Sequence, residues 1–118
     1  MKKTNLEFLT SIILKFRSVR NWKQFHNPKD MAISLSLEAS EVLEHFQWKS
    51  EEEVKKYIKS HKDHIGEELM DVLWWILLMC HDFKIDINDS FIKKLQKNNL
   101  KYPVEKSKNS HKKWSELK

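Results

Sequence analysis

"LMDVLWWILLMC" (residues 69–80) is the longest apolar run in the chain, and its reading decides the fold. Interrupted by Asp71, it falls short of the roughly 18 to 20 residues that cross a bilayer, so it reads as a buried helix and not as a membrane span. From Val72 to Cys80 it is apolar almost all round, which makes it the central element that other helices must cover. The whole chain has 118 residues, with one Gly and two Pro. That length suits one domain with one core. So few turn-forming residues disfavour hairpins and Gly-rich phosphate loops and favour an all-α chain.

Helix signals flank the central run on both sides. A first helix is expected over about Leu6–Val19. "HNPKD" (26–30) then starts a second, with Asn27 as N-cap, Pro28 at the first helical position and Asp30 near the positive end of the helix dipole. It should reach about Phe46. "SEEE" (50–53) has the form of a capping box, Ser50 with Glu53, opening a short helix to about Lys59. The central helix spans about Asp63–Phe83. A fifth runs from about Asn88 and ends before Pro103, which disfavours helical geometry in Tyr102. The expected organisation is a helical bundle of four main helices and a short connecting one over residues 1–103, followed by a lysine-rich tail, 104–118, that docks weakly or is ordered by a partner or ligand.

Acids fall on the two long helices in matching places. On a 100° wheel Met31, Ala32, Leu35, Ala39, Val42, Leu43 and Phe46 share one face. Glu38 and Glu41 lie inward or along its edge, and Glu44 lies on the far, solvated side. Glu68 and Asp71 stand in the same relation to Val72 on the central helix. If the two helices pack antiparallel, four carboxylates converge. Unneutralised, they would repel one another. A hard divalent cation removes that penalty, and an all-carboxylate set suits Mg²⁺ or Mn²⁺ better than Zn²⁺. A ferritin-like di-iron bundle needs Glu-x-x-His, and no glutamate here has His three residues on. His61 and His64 share the stripe of Glu68 and Asp71, leaving a mixed His/carboxylate site as a lesser option. Single E-x-x-E pairs are common on solvated helices, so the weight rests on the matched positions.

Charge and aromatic residues add less. The net charge is +5, yet residues 93–118 carry nine lysines against Glu105 and Glu116, so the body is slightly acidic and the tail strongly basic. Such a tail favours polyanions, either nucleic acid or triphosphate. Trp22, His26 and Trp48 bracket the second helix at loop ends, where tryptophans can stack on a nucleobase or simply close the bundle. Trp75 lies near Glu68 one or two turns on and could wall a pocket, with core packing as the plainer reading. Lys94, Asn98 and Lys101 share one side of the fifth helix beside Phe91, Leu95 and Tyr102. Cys80, the only cysteine, sits among apolar neighbours that make it a poor nucleophile and can form no intrachain disulfide, which fits a reducing cytoplasm. The start "MKKTNLEFLTSIIL" carries Glu7 and lacks a small-residue cleavage site, so it does not read as a signal peptide.

Three blocks in order carry a resemblance. Glu38-x-x-Glu41 is followed after 26 residues by Glu68-x-x-Asp71. "NWKQFHNPKDMAISLSLEASEVLEHFQW", "GEELMDVLWW" and "KLQKNNLKYP" surround them in the pattern W-x-x-F-H-x-P-K/R, E-x-x-E-x-x-x-x-F-Q-W, E-E-L-x-D-V-L and K-x-x-x-N-x-x-x-Y-P. The chain thereby resembles the MazG-like all-α nucleoside triphosphate pyrophosphohydrolases, most nearly the dCTP pyrophosphatase type, over roughly residues 6–103. The resemblance implies Mg²⁺-dependent cleavage between the α and β phosphates, giving a monophosphate and pyrophosphate. It implies metal ligation by Glu38, Glu41, Glu68 and Asp71, with Glu41 orienting or deprotonating the water. It also implies base contacts by Trp22 and Trp48 with His26 nearby, beside which Trp75 could form a further wall, and phosphate or sugar contacts by Lys29, Lys94, Asn98 and Tyr102.

Asp30 stands where relatives often have asparagine, and Trp74–Trp75 replace an aliphatic–tyrosine pair, both close to the implied base. Family members assemble as homodimers or homotetramers. The competing reading is a non-enzymatic helical module that binds nucleic acid through its basic tail; it leaves the paired acids unexplained, because carboxylates repel phosphates. A degenerate scaffold is disfavoured by the presence of all four acids.

Overall fold

The computed structural model describes residues 5–117; the lysine-led start, residues 1–4, and Lys118 lie outside the described residues. All regular structure among them is helical: α1 (Leu6–Val19), α2 (Pro28–Glu44), α3 (Glu51–Ser60), α4 (Lys62–Asp82), α5 (Ile87–Lys101) and α6 (Val104–Ser107). Short 3₁₀ turns occupy Lys23–Phe25 and Trp114–Glu116. Side chains at the caps explain most of the starts, because the first N–H groups of a helix have no partner within it. Asn5 Oδ1 accepts the Phe8 N–H at 2.8 Å, Asn27 Oδ1 accepts that of Asp30 at 2.8 Å, and Asp86 Oδ1 accepts that of Asp89 at 2.9 Å. At α3 the capping box is complete: Glu53 N–H donates to Ser50 Oγ, and Ser50 N–H donates to Glu53 Oε1.

α2 stops at Glu44, two residues before the expected Phe46. There the backbone tightens, with His45 N–H donating to Val42 O and Phe46 N–H to Leu43 O. The chain then reverses through Trp48, which holds φ at 66°.

Two compact units divide the chain after Phe83. In the first, α4 packs against α1, α2 and α3, most extensively against α2. The pairing of α2 with α4 is antiparallel: Glu38 feels the charge of Asp71, while His45, further along α2, meets Glu68 and His64, earlier in α4. Ile13, Met31, Ile65, Leu77 and Leu78 form the buried apolar core. Of the expected stripe on α2, Met31 is fully covered and Leu35, Val42 and Phe46 are half-buried, but Ala32, Ala39 and Leu43 are exposed. α4 is the main neighbour of α2 within the unit, and one neighbour covers a narrower arc than the apolar stripe offers.

The second unit holds α5, α6 and the segment beyond. Past Pro103 the lysine-rich stretch takes up α6 and the Trp114–Glu116 turn, with Lys101 Nζ 5.3 Å from the Trp114 ring centroid.

A buried ion pair ties α1 to α4. Arg17, 4% exposed, donates from both terminal nitrogens to the two carboxylate oxygens of Asp82 at 2.8 Å. These hydrogen bonds hold the Asp82 carboxyl below its ordinary value against the opposing effect of burial. Its folded-state value being lowered, the contribution is present above the ordinary carboxylate range and fades as pH falls through the lower folded value. Asp82→Ala should therefore cost about 3 to 5 kcal/mol in urea unfolding at neutral pH, since it strands a buried guanidinium. The double replacement Arg17→Met with Asp82→Leu should cost far less, as no charge is left behind.

Candidate active site

The antiparallel seam between α2 and α4 gathers the four acids. Glu38 and Glu68 are half-buried; Glu41 and Asp71 are exposed at its mouth. Each helix contributes a pair at i, i+3, which one helical face presents together. The Glu38 carboxyl is pushed above its usual value, first by burial, then by the charge of Glu41 and a proton shared with it, then by Asp71 and Glu68. Glu38 therefore senses all three other acids.

Glu38 Oε2 and Glu68 Oε2 are buried without an aligned hydrogen-bond partner among the described residues. A buried acceptor left unpaired costs about 1 to 3 kcal/mol. Among the described residues no three His, Cys, Asp or Glu side chains are drawn tightly enough to enclose an ion as they stand. The acids are neighbours and not a closed cage. Their all-oxygen chemistry and the unpaired Glu38 Oε2 suit a hard cation that keeps much of its own water shell.

A histidine that the sequence reading overlooked closes one end of the seam. His45, 8% exposed, sets Nε2 2.5 Å from Glu68 Oε2 and Nδ1 2.6 Å from the Tyr57 hydroxyl of α3. The contact to Glu68 is a close polar approach and lacks hydrogen-bond alignment. His61 is engaged elsewhere, stacked on Tyr57 at 4.0 Å and within 2.8 Å of Ser60 Oγ. His64 is exposed, its ring 6.4 Å from that of His45. His45 offered a signal: it lies three residues after Val42, at the inward register of α2.

Beside the acids lies a cavity of about 440 Å³ lined by Phe16, Arg17, Trp22, His26, Asp71, Trp74, Trp75 and Leu78. Asp71 thus belongs both to the acid cluster and to this aromatic pocket. Trp22 and Trp74 each stand edge-on to Phe16, at 5.8 and 5.1 Å, and Trp75 stands edge-on to His26 at 5.2 Å. Aromatic faces beside a carboxylate cluster make a slot for a flat, partly polar ring attached to an anionic chain. The pKa of His26 is lowered, by burial first and then by the Arg17 charge, with Asp82 opposing; its imidazole is therefore neutral at neutral pH.

Other expected contacts lie outside this pocket's lining. Lys29 is exposed on the first turn of α2, and Trp48 is 92% exposed at the reversal after it. A bulky residue at positive φ is an outlier, and Trp48 adopts it at the turn that ends α2. Lys94, Asn98 and Tyr102 belong to the second unit, where Tyr102 N–H donates to Asn98 O at 2.8 Å and Asn98 is half-buried. Arg17 and Asp82 also escaped the sequence reading. Each sits one turn after a buried residue, Ile13 or Leu78, and two opposite charges at core register are the trace of a buried pair.

Known proteins resemble this chain in sequence and fold. The MazG-like family matches residues 33–117. The dCTP pyrophosphatase 1 of Bos taurus is 31% identical over 95% of this chain and 68% of its own length, and that of Mus musculus is 32% identical over 95% and 67%. A pyrophosphatase from Archaeoglobus fulgidus has a crystal structure that superposes with a TM-score of 0.80 at 36% identity, covering 87% of this chain and 96% of that one.

The raised Glu38 value makes a prediction of definite sign. The folded state holds this proton more tightly than the unfolded chain, so stability is greatest below the ordinary glutamate range and falls as pH rises toward the folded value. Above the folded value the cost is fully in place. Glu38→Gln should accordingly raise the melting temperature of the metal-free protein at neutral pH, and the gain should shrink in acid, as scanning calorimetry across the pH range would reveal.

Proposed function

The chain belongs to the MazG-like family and is a nucleoside triphosphate pyrophosphohydrolase; we propose that it hydrolyses dCTP or a modified pyrimidine deoxynucleoside triphosphate with Mg²⁺, cleansing the nucleotide pool. The observation that carries this reading is Asp71, which stands at once in the acid cluster and in the wall of the aromatic pocket. A base in that pocket would set its phosphate chain along the seam of α2 and α4.

Glu38, Glu41, Glu68 and Asp71 would hold the cation, Mg²⁺ by the chemistry of the donors, with Mn²⁺ a workable substitute. Bound there, the ion supplies charge neutralisation of the triphosphate, polarisation of the α-phosphorus and a more acidic water. Glu41, exposed at the mouth, would orient the attacking water and accept its proton as it adds to the α-phosphorus in line. Glu38 would stand beside it in the same cluster. The bond from the α-phosphorus to the bridging oxygen breaks, and pyrophosphate leaves. His45 braces Glu68 from behind. Trp22, Trp74 and Trp75 enclose the base, a contact of about 1 to 3 kcal/mol where a ring stacks. Lys29 and Trp48 would add contacts to phosphates, sugar or base, as the family resemblance implies.

The apolar surface supports a homodimer or homotetramer. Phe8, Ile12, Leu37, Leu43, Leu69 and Met70 are all more than 45% exposed, more apolar side chain than a monomer ordinarily leaves in water. We place the enzyme in the cytoplasm, with Cys80 free. Among the described residues no helix is long and apolar enough to cross a membrane.

Incubation of the pure protein with a panel of nucleotides and Mg²⁺ should yield monophosphate and pyrophosphate in equal amounts, fastest with dCTP or its base-modified analogues. Release of orthophosphate would reject the cleavage site. Glu38→Gln and Asp71→Asn should each abolish turnover with helicity intact by circular dichroism, and retained activity would reject them as ligands. Light scattering after gel filtration should give the mass of two or four chains.

A further inference from the structure

We propose that the buried Arg17–Asp82 pair is a positioning device for nucleotide recognition: it locks His26 as the neutral tautomer with its proton on Nε2, so that His26 donates a hydrogen bond to a carbonyl oxygen of the bound base. This rests on the reading that the aromatic pocket takes the base.

The geometry leaves the ring little choice. Arg17 Nη1 lies 3.4 Å from His26 Nδ1. A guanidinium carries only donors and does not deprotonate in proteins, so the nitrogen that faces it must offer a lone pair. A proton on Nδ1 would oppose two donors, and a doubly protonated ring would face a second cation. The remaining proton belongs on Nε2. Asp82 prevents Arg17 from turning away: the two 2.8 Å hydrogen bonds fix both terminal nitrogens, and the side chain is buried. Trp75, edge-on at 5.2 Å, fixes the plane of the imidazole.

Arg17 and His26 both line the pocket, and Nε2 is the ring nitrogen left for its occupant. A pyrimidine presents its 2-carbonyl oxygen to such a donor. A site built around one donor discriminates against ligands that put a donor in the same place, because both groups are then left unpaired. The salt bridge thus acts at one remove, through the tautomer, and the ring itself makes the contact.

The test needs a variant that folds. Arg17→Met with Asp82→Leu removes the device and leaves no buried charge, and its helicity and melting curve verify the fold. Nitrogen-15 spectra of histidine-labelled, nucleotide-free protein, with His26 assigned by comparison with His26→Gln, should show an unprotonated Nδ1 and a protonated Nε2 in the native chain at neutral pH. In the folded double variant that bias should be lost, and KM for dCTP should rise about tenfold, the worth of one hydrogen bond, with the loss falling on KM and not on kcat. A native His26 that is doubly protonated, or protonated on Nδ1, overturns the proposal. So does a double variant that loses the tautomer bias with KM unchanged. His26→Ala then separates the two failures: if it alone raises KM, the base pocket stands and only the lock falls; if it too is silent, the pocket reading falls with it.

Discussion

Repulsion among four carboxylates is the constraint on which the rest of this molecule turns. Glu38 and Glu68 are drawn partly out of water where α2 and α4 meet, and Glu41 and Asp71 stand at the same seam. Helix packing strong enough to hold that arrangement without compensation stores a cost that only a positive charge relieves. Two buried oxygens lack aligned hydrogen-bond partners, and one acid is held toward its neutral form. Such a seam is a poor way to stabilise a fold, and its cost is what the proposed cation would relieve. Stability is conceded at the place where binding is needed.

The scaffold that bears this cost is thin. Among the described residues five apolar side chains form its buried core, three of them fully covered, each contributing about 1.5 to 3 kcal/mol by burial. Support comes from directional interactions at the ends of the seam. His45 bridges α2 to Glu68 on α4 and Tyr57 on α3, and Arg17 joins α1 to Asp82 at the far end of α4. Both are polar groups buried at core register, and neither would be tolerated there unpaired. The same groups sit next to the acid cluster and the aromatic pocket, so the struts of the fold are also the supports of the site.

The pocket shows how one residue type serves two roles. Trp74 packs on Phe16 of α1, an ordinary contact between helices, whereas Trp75, its neighbour in sequence, turns its edge to His26. Adjacent positions on a helix point about 100° apart, so a pair of tryptophans can close the bundle with one ring and furnish a binding wall with the other. The doubled tryptophan lines a cavity also bounded by Trp22.

By itself the sequence determined the helices, their caps and the matched acid pairs. Asn27 with Pro28 and the Ser50–Glu53 box act within one turn, and the wheel positions of Glu38, Glu41, Glu68 and Asp71 follow from helical period alone. The family, too, was legible, because its motif is a set of local spacings. Tertiary structure alone decided that Arg17 finds Asp82, 65 residues away, that His45 and not His61 or His64 meets Glu68, and that Ala32, Ala39 and Leu43 stay uncovered. Local chemistry fixes where a side chain leaves its helix. Which partner awaits it depends on how helices distant in sequence pack, and no period along the chain encodes that.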